Sequence, residues 1–280
     1  MVYDLITDNQ SNLYYTSFET CRVYRVNSHN DEELEISAFL KLDSEEFIGH
    51  TLHVSTQKDI LYVRKSNSTV EIHKVGRGFC QENFEPEAIY MRGKIVKMLN
   101  FEQYLLVLIQ SGILLVYDPY TSTKILRAEV DLKIEIINEF VTTGCISFDH
   151  NYLAIGTAVF RPEKKFLTRL RVYRMHWYDS VEMLDRYESE IADYERNMFY
   201  GSIHMGVSVN NMPMVVSTFY GYPYIFLSLL LKPNNKLSVF TRKEFLHRGK
   251  VTSMKGFIDD IWTCSKDCSI SRIFLHDDFD

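Results

Sequence analysis

The sequence predicts an all-β fold built from repeated four-stranded antiparallel units. Three observations carry that expectation. Short apolar segments follow one another along the 280 residues, each bounded by a polar turn. The segments group in fours, and the groups recur every ~40 to 55 residues, the period of four-stranded blades. Side chains suited to a pleated, half-buried surface are abundant, with 18 Tyr, 18 Phe and 46% hydrophobic residues. With only 6 Pro and 12 Gly, collagen-like and low-complexity chains are excluded. The expected architecture is therefore one β-propeller domain over residues 1–280, with six to seven four-stranded blades.

The clearest unit lies near the middle. Its strands are KIVKMLN (94–100), QYLLVLIQ (103–110), ILLVYDP (113–119) and KILRAEV (124–130), with turns at Phe101-Glu102, Ser111-Gly112 and Tyr120-Thr121-Ser122. QYLLVLIQ is apolar at successive positions, as a strand sandwiched between neighbouring sheets must be. Before it, TLHVS, ILYVRK, TVEIHKV and EAIYMR form one set, and DLIT, NLYYTSF, CRVYRV and ISAFLKL an earlier one. After it, CISFDHN, YLAIGTAVF and TRLRVYRM supply three strands of a fourth unit. GSIHMGVSV, MVVSTFYGY, YIFLSLLL and KLSVFTRK make a fifth, and VTSMKGF, IWTCSK and SISRIFL a last one that lacks an obvious fourth strand.

The stretch HRGKVTSMKGFIDDIWTCSKDCSISRIF (247–274) resembles a repeat of the WD-repeat β-propeller family. His247 occupies the place of the loop histidine, Val251 and Met254 that of the innermost strand, and Thr263, Ser265 and Asp267 that of the strand and turn that follow. Phe274 stands where the family has Trp. GILLVYDPYTSTKIL (112–126) is similar to the third strand, turn and fourth strand of a blade. The resemblance implies a buried hydrogen-bond network joining His247, Thr263, Ser265 and Asp267, which stabilises a blade only when every member is satisfied. It also implies a non-catalytic scaffold for protein partners.

Two segments stand out as partner-binding candidates. From Asp179 the spacing of Leu184, Tyr187, Ile191, Tyr194 and Met198 predicts an amphipathic helix near 180–198, capped by Asp179 and Glu182. RPEKKFLTRLRVYRMH concentrates Arg161, Lys164, Lys165, Arg169, Arg171 and Arg174 around a hairpin, which could face an acidic protein surface or a phosphate backbone. The overall charge of −6 argues against wholesale affinity for nucleic acid.

No catalytic or cofactor-binding pattern is present. Cys264 and Cys268 form no four-ligand zinc set, and His50 and His53 fall on opposite faces of one strand. Gly-x-Ser-x-Gly, P-loop and Gly-x-Gly-x-x-Gly motifs are absent. Acidic runs such as DEELE (31–35) read as solvated loops. Five scattered cysteines and an opening, MVYDLITDNQ, without an apolar core predict a reduced, intracellular protein of the nucleus or cytoplasm with no membrane insertion. The expected role is a non-enzymatic subunit of a multiprotein complex. One variant is an open six-bladed ring completed in trans by a strand from a coat or nuclear-pore type partner.

Overall fold

The computed structural model describes residues 2–7, 13–17, 22–26, 36–41, 50–54, 60–65, 69–75, 87–119, 126–134, 137–147, 149–160, 166–190, 200–207, 212–219, 225–244, 247–256 and 260–274. These residues form six antiparallel sheets, each from consecutive strands. The first contains β1 (Val2–Thr7), β2 (Leu13–Ser17), β3 (Arg22–Val26) and β4 (Ile36–Lys41). The second contains β5 (His50–Val54), β6 (Ile60–Lys65), β7 (Thr69–Val75) and β8 (Glu87–Tyr90). β9 (Ile95–Phe101), β10 (Tyr104–Ile109), β11 (Ile113–Tyr117) and β12 (Leu126–Asp131) make the third. β13 (Glu139–Ile146), β14 (Tyr152–Phe160), β15 (Phe166–His176) and β16 (Ser180–Glu190) make the fourth. The fifth has β17 (Tyr200–Val207), β18 (Pro213–Phe219), β19 (Ile225–Leu231) and β20 (Leu237–Glu244), and the sixth β21 (Val251–Gly256), β22 (Asp260–Ser265) and β23 (Ile270–Phe274).

The first strands of the sheets stand side by side in a circle. β1 neighbours β5, and the series continues through β9, β13, β17 and β21. It returns to the start because β1 also lies against β21 and β22. Among the described residues the ring thus closes by contact between the first and last sheets, without a strand shared between them.

Apolar faces of adjacent sheets supply the core. β10 shows how a doubly apolar strand is used. Leu106 and Leu108 join Leu99, Leu114 and Val116 against Leu153, Ile155, Tyr173 and Met175 of the fourth sheet. Leu105, Val107 and Ile109 face the other way, toward a cluster that includes Val70 of the second sheet. Strand parity likewise sends Leu170 and Val172 of β15 toward Tyr200, Met205 and Val215 of the fifth sheet, while Tyr173 and Met175 face the third. Burial of an aliphatic side chain contributes about 1.5–3 kcal/mol, so each seam is a hydrophobic interface in its own right.

The fourth sheet departs from its sequence expectation twice. Its first strand is Glu139–Ile146, upstream of most of CISFDHN. The residues after it form a turn because Asp149 is a better turn acceptor than strand residue: its Oδ1 accepts from Ser147 Oγ at 2.5 Å and from Asn151 N at 3.2 Å. The second correction concerns the helix near 180–198: Ser180–Glu190 is instead the outer strand β16, paired along β15. A bulge between the Tyr173–Met183 and Val172–Asp185 pairs inserts Leu184 as an extra residue. That insertion puts Leu184 and Tyr187 on one core despite their three-residue spacing. A bulged strand imitated the helical period. Ile191 and Tyr194 lie outside the described residues.

Bulges recur elsewhere. The first strand is irregular near its start in the first, third, fourth, fifth and sixth sheets. In the fourth and sixth, the bulged residue is a threonine with the same bond: Thr142 Oγ1 donates to Gly156 O at 3.1 Å and Thr252 Oγ1 to Cys264 O at 3.2 Å. The bulge frees a backbone carbonyl from the ladder, and the hydroxyl satisfies it.

Candidate functional site

In an up-and-down sheet the start of the first strand lies beside the end of the second. Each link between sheets therefore shares a rim with the turn between second and third strands. Polar clusters occupy this rim in the sixth and fourth sheets.

In the sixth sheet, His247 precedes β21 and Asp267 lies in the β22–β23 turn. Asp267 Oδ2 accepts from the backbone N–H of Arg248 at 2.7 Å and of Gly249 at 3.1 Å. Its Oδ1 accepts from Ser269 Oγ at 2.5 Å and Ser269 N at 3.0 Å, and Ser265 Oγ accepts from Asp267 N at 3.3 Å. A Cβ at position 249 would stand 2.7 Å from Asp267 N, so the close approach requires glycine there. His247 is buried, with Nδ1 2.8 Å from Ser269 Oγ and Nε2 2.8 Å from Thr263 Oγ1. Because the short Ser269–Asp267 bond consumes the serine proton, neutral His247 donates from Nδ1 and accepts at Nε2 from Thr263. Burial pushes the His247 pKa down, against the pull of the Asp267 charge. Burial also opposes ionisation of Asp267, yet donors from Ser269, Arg248 and Ser265 outweigh it and hold the carboxyl well below its ordinary range. His247 and Asp267 are 3.8 Å apart at their nearest N–O pair, so Ser269 carries the connection. Sequence reasoning named the other four residues and missed this one.

The fourth sheet does the same job with the carboxylate on the opposite arm. Glu139 opens β13 with a fully buried side chain. Its Oε1 accepts from Thr157 Oγ1 at 2.5 Å, and its carboxylate binds Arg171 Nη2 at 2.8 and 2.9 Å and Arg169 Nη1 at 2.9 Å. Arg169 Nε reaches Glu188 at 2.9 Å. Arg169 and Arg171 belonged to the expected surface patch; the structure instead buries them, with 8% and 4% side-chain exposure. Alternation aims both toward the third sheet, and the acid at the strand start binds both. Arg174 remains partly exposed, 3.4 Å from Asn235 Oδ1 and 3.9 Å from Glu182. Arg161, Lys164 and Lys165 lie outside the described residues.

Beside this cluster, between the end of β12 and the outer half of the fourth sheet, is a cavity of about 370 Å³ lined by residues including Lys133, Arg171, Tyr173, Met183 and Arg186. Burial pushes the Tyr173 hydroxyl up to about 12, keeping it a donor to Leu132 O at 3.0 Å. The two C-terminal cysteines are unlike: Cys264 is buried in β22, whereas Cys268 is exposed in the turn.

No family model and no curated protein matches the sequence. Solved structures do. The Swd1 β-propeller domain of Myceliophteria thermophila superposes with a TM-score of 0.60 at 8% identity, over 98% of this chain and 83% of that one. A periplasmic gluconolactonase of Pseudomonas aeruginosa gives 0.60 at 10% identity, covering 98% and 85%. Chaetomium thermophilum Sqt1, solved bound to the N-terminus of a ribosomal protein, gives 0.55 at 11%, covering 97% and 71%. The chain is a β-propeller. Its six sheets are blades, and its polar rim clusters tie the entry of a blade to that blade's own turn or third strand.

Proposed function

We propose that this propeller is a non-catalytic protein-interaction scaffold, a subunit of an intracellular complex in the nucleus or cytoplasm. The observation that carries this reading is the sixth blade. Among the described residues it has three strands, leaving β23 (Ile270–Phe274) at its outer edge. An edge strand presents unpaired backbone donors and acceptors, and a partner segment that adds one strand satisfies them all. Supporting context comes from Sqt1, a propeller of the same fold solved with a bound protein segment. Phosphate binding through 161–174 has weaker support, because two of its expected cations are held by Glu139.

The test is purification of the tagged chain with its stoichiometric companions, alongside Arg272→Pro and Ile273→Pro variants. Successive backbone N–H groups of a strand alternate in direction, so one of these substitutions removes a donor from the free edge. A companion recovered with the wild type and lost with that variant, at unchanged melting temperature, supports edge pairing. Purification as a lone monomer would remove the scaffold reading.

A further inference from the structure

We infer that the cavity between the third and fourth blades is a carboxylate-binding subsite for an acidic side chain of a protein partner; this rests on the scaffold reading above. The argument begins with Arg171. Its Nη2 is held by Glu139 and its Nη1 lies 3.9 Å from the thioether of Met183, but among the described residues its buried Nε has no hydrogen-bond partner. Glu139 also binds Arg169, whose Nε is held in turn by Glu188 at 2.9 Å, so Arg171 shares its one carboxylate with a second guanidinium. A buried charged donor left unsatisfied is costly. Here it belongs to a residue that lines an accessible cavity.

The lining chemistry specifies the ligand. Among the described residues the lining carries Lys133, Arg171 and Arg186 beside Asp131 and Glu182; Arg171 is already held by Glu139 and Arg186 Nε lies 3.3 Å from Glu188, which leaves the Lys133 ammonium as the cation next to the unpartnered Arg171 Nε. The free Nε–H of Arg171 and the Lys133 ammonium can each donate to one oxygen of a carboxylate. Tyr173 and Met183 add an apolar wall for the methylene stem, and Met183, half exposed and flexible, can swing aside to admit it. About 370 Å³ is within the range of small binding pockets and holds one or two residues of an extended segment.

The probe is the blocked tripeptide acetyl-Leu-Glu-Leu-amide, titrated by calorimetry at low salt against its Gln counterpart and against inorganic phosphate. Saturable binding of the Glu peptide, at least tenfold tighter than the Gln peptide, is expected. Lys133→Glu, at the rim and outside the Glu139 cluster, should weaken it at least tenfold without changing the melting temperature. Glu182→Gln should tighten it. Absence of binding, equal binding of the two peptides, indifference to the rim reversal, or tighter binding of phosphate would each overturn the inference. A companion protein recovered equally by wild type and rim variant would keep the scaffold reading while sinking this one.

Discussion

Replacing Glu139 with Gln would leave Arg171 inside the fourth blade facing a neutral amide, and Arg169 with Glu188 as its carboxylate. Breaking a buried ion pair from one side costs about 3–5 kcal/mol. Glu139→Gln should therefore lower the urea midpoint sharply. The triple replacement Glu139→Leu, Arg169→Met, Arg171→Met should recover much of the loss, since an apolar set of similar volume leaves no charge stranded. An equal loss in both variants would contradict the assignment. Titration tests the sixth blade. The folded pKa of His247 is depressed, so its contribution to stability is complete above the unfolded value of ~6.5 and is lost as pH falls from there toward the lower folded value. The wild-type melting temperature should therefore drop more between pH 7 and 5 than that of His247→Asn. Asp267 acts further down: its contribution is present above the unfolded carboxylate value of ~3.9 and fades only as pH falls through the depressed folded value. The His247, Thr263, Ser265 and Asp267 set was readable because it follows a repeat pattern. Glu139 was not, because an acid beginning an apolar strand is indistinguishable in sequence from a loop acid until its cross-strand neighbours are known. Ser269 was missed for a simpler reason: it lies two residues past the patterned Asp267.

At the scale of elements, strand quartets were legible where turn residues bounded short apolar runs, as in β9 to β12. The reading failed where a bulge placed apolar residues at a helical spacing. β16 is the instructive case, since its extra Leu184 converts a period of two into an apparent three-residue step. The strand is also clipped to the next blade: Asp185 Oδ2 accepts from Leu237 N at 2.8 Å and Oδ1 from Lys236 Nζ at 3.3 Å. Burial opposes the charge of Asp185, but these donors outweigh it and lower its pKa. Asp185→Ala should destabilise by about 1.5 kcal/mol and accelerate hydrogen exchange at Leu237. Unchanged exchange there would show that the clip does not hold β20.

For the whole molecule, the seams between blades matter more than any single sheet. Leu108 is fully buried between the third and fourth blades, and its truncation to Ala should cost about 2–5 kcal/mol. If the ring unfolds as one unit, fluorescence and far-ultraviolet circular dichroism of Leu108→Ala will report one shared midpoint. Separate midpoints would mean that blades melt singly. The closure itself has a topological consequence. Among the described residues each sheet is made of consecutive strands, and the first meets the last by lateral contact with no backbone ladder across the seam. The fold is then specified by the cyclic order of its blades. A circular permutant opened between β12 and β13, with its original ends tethered, would keep every strand pair and merely move the break to another seam.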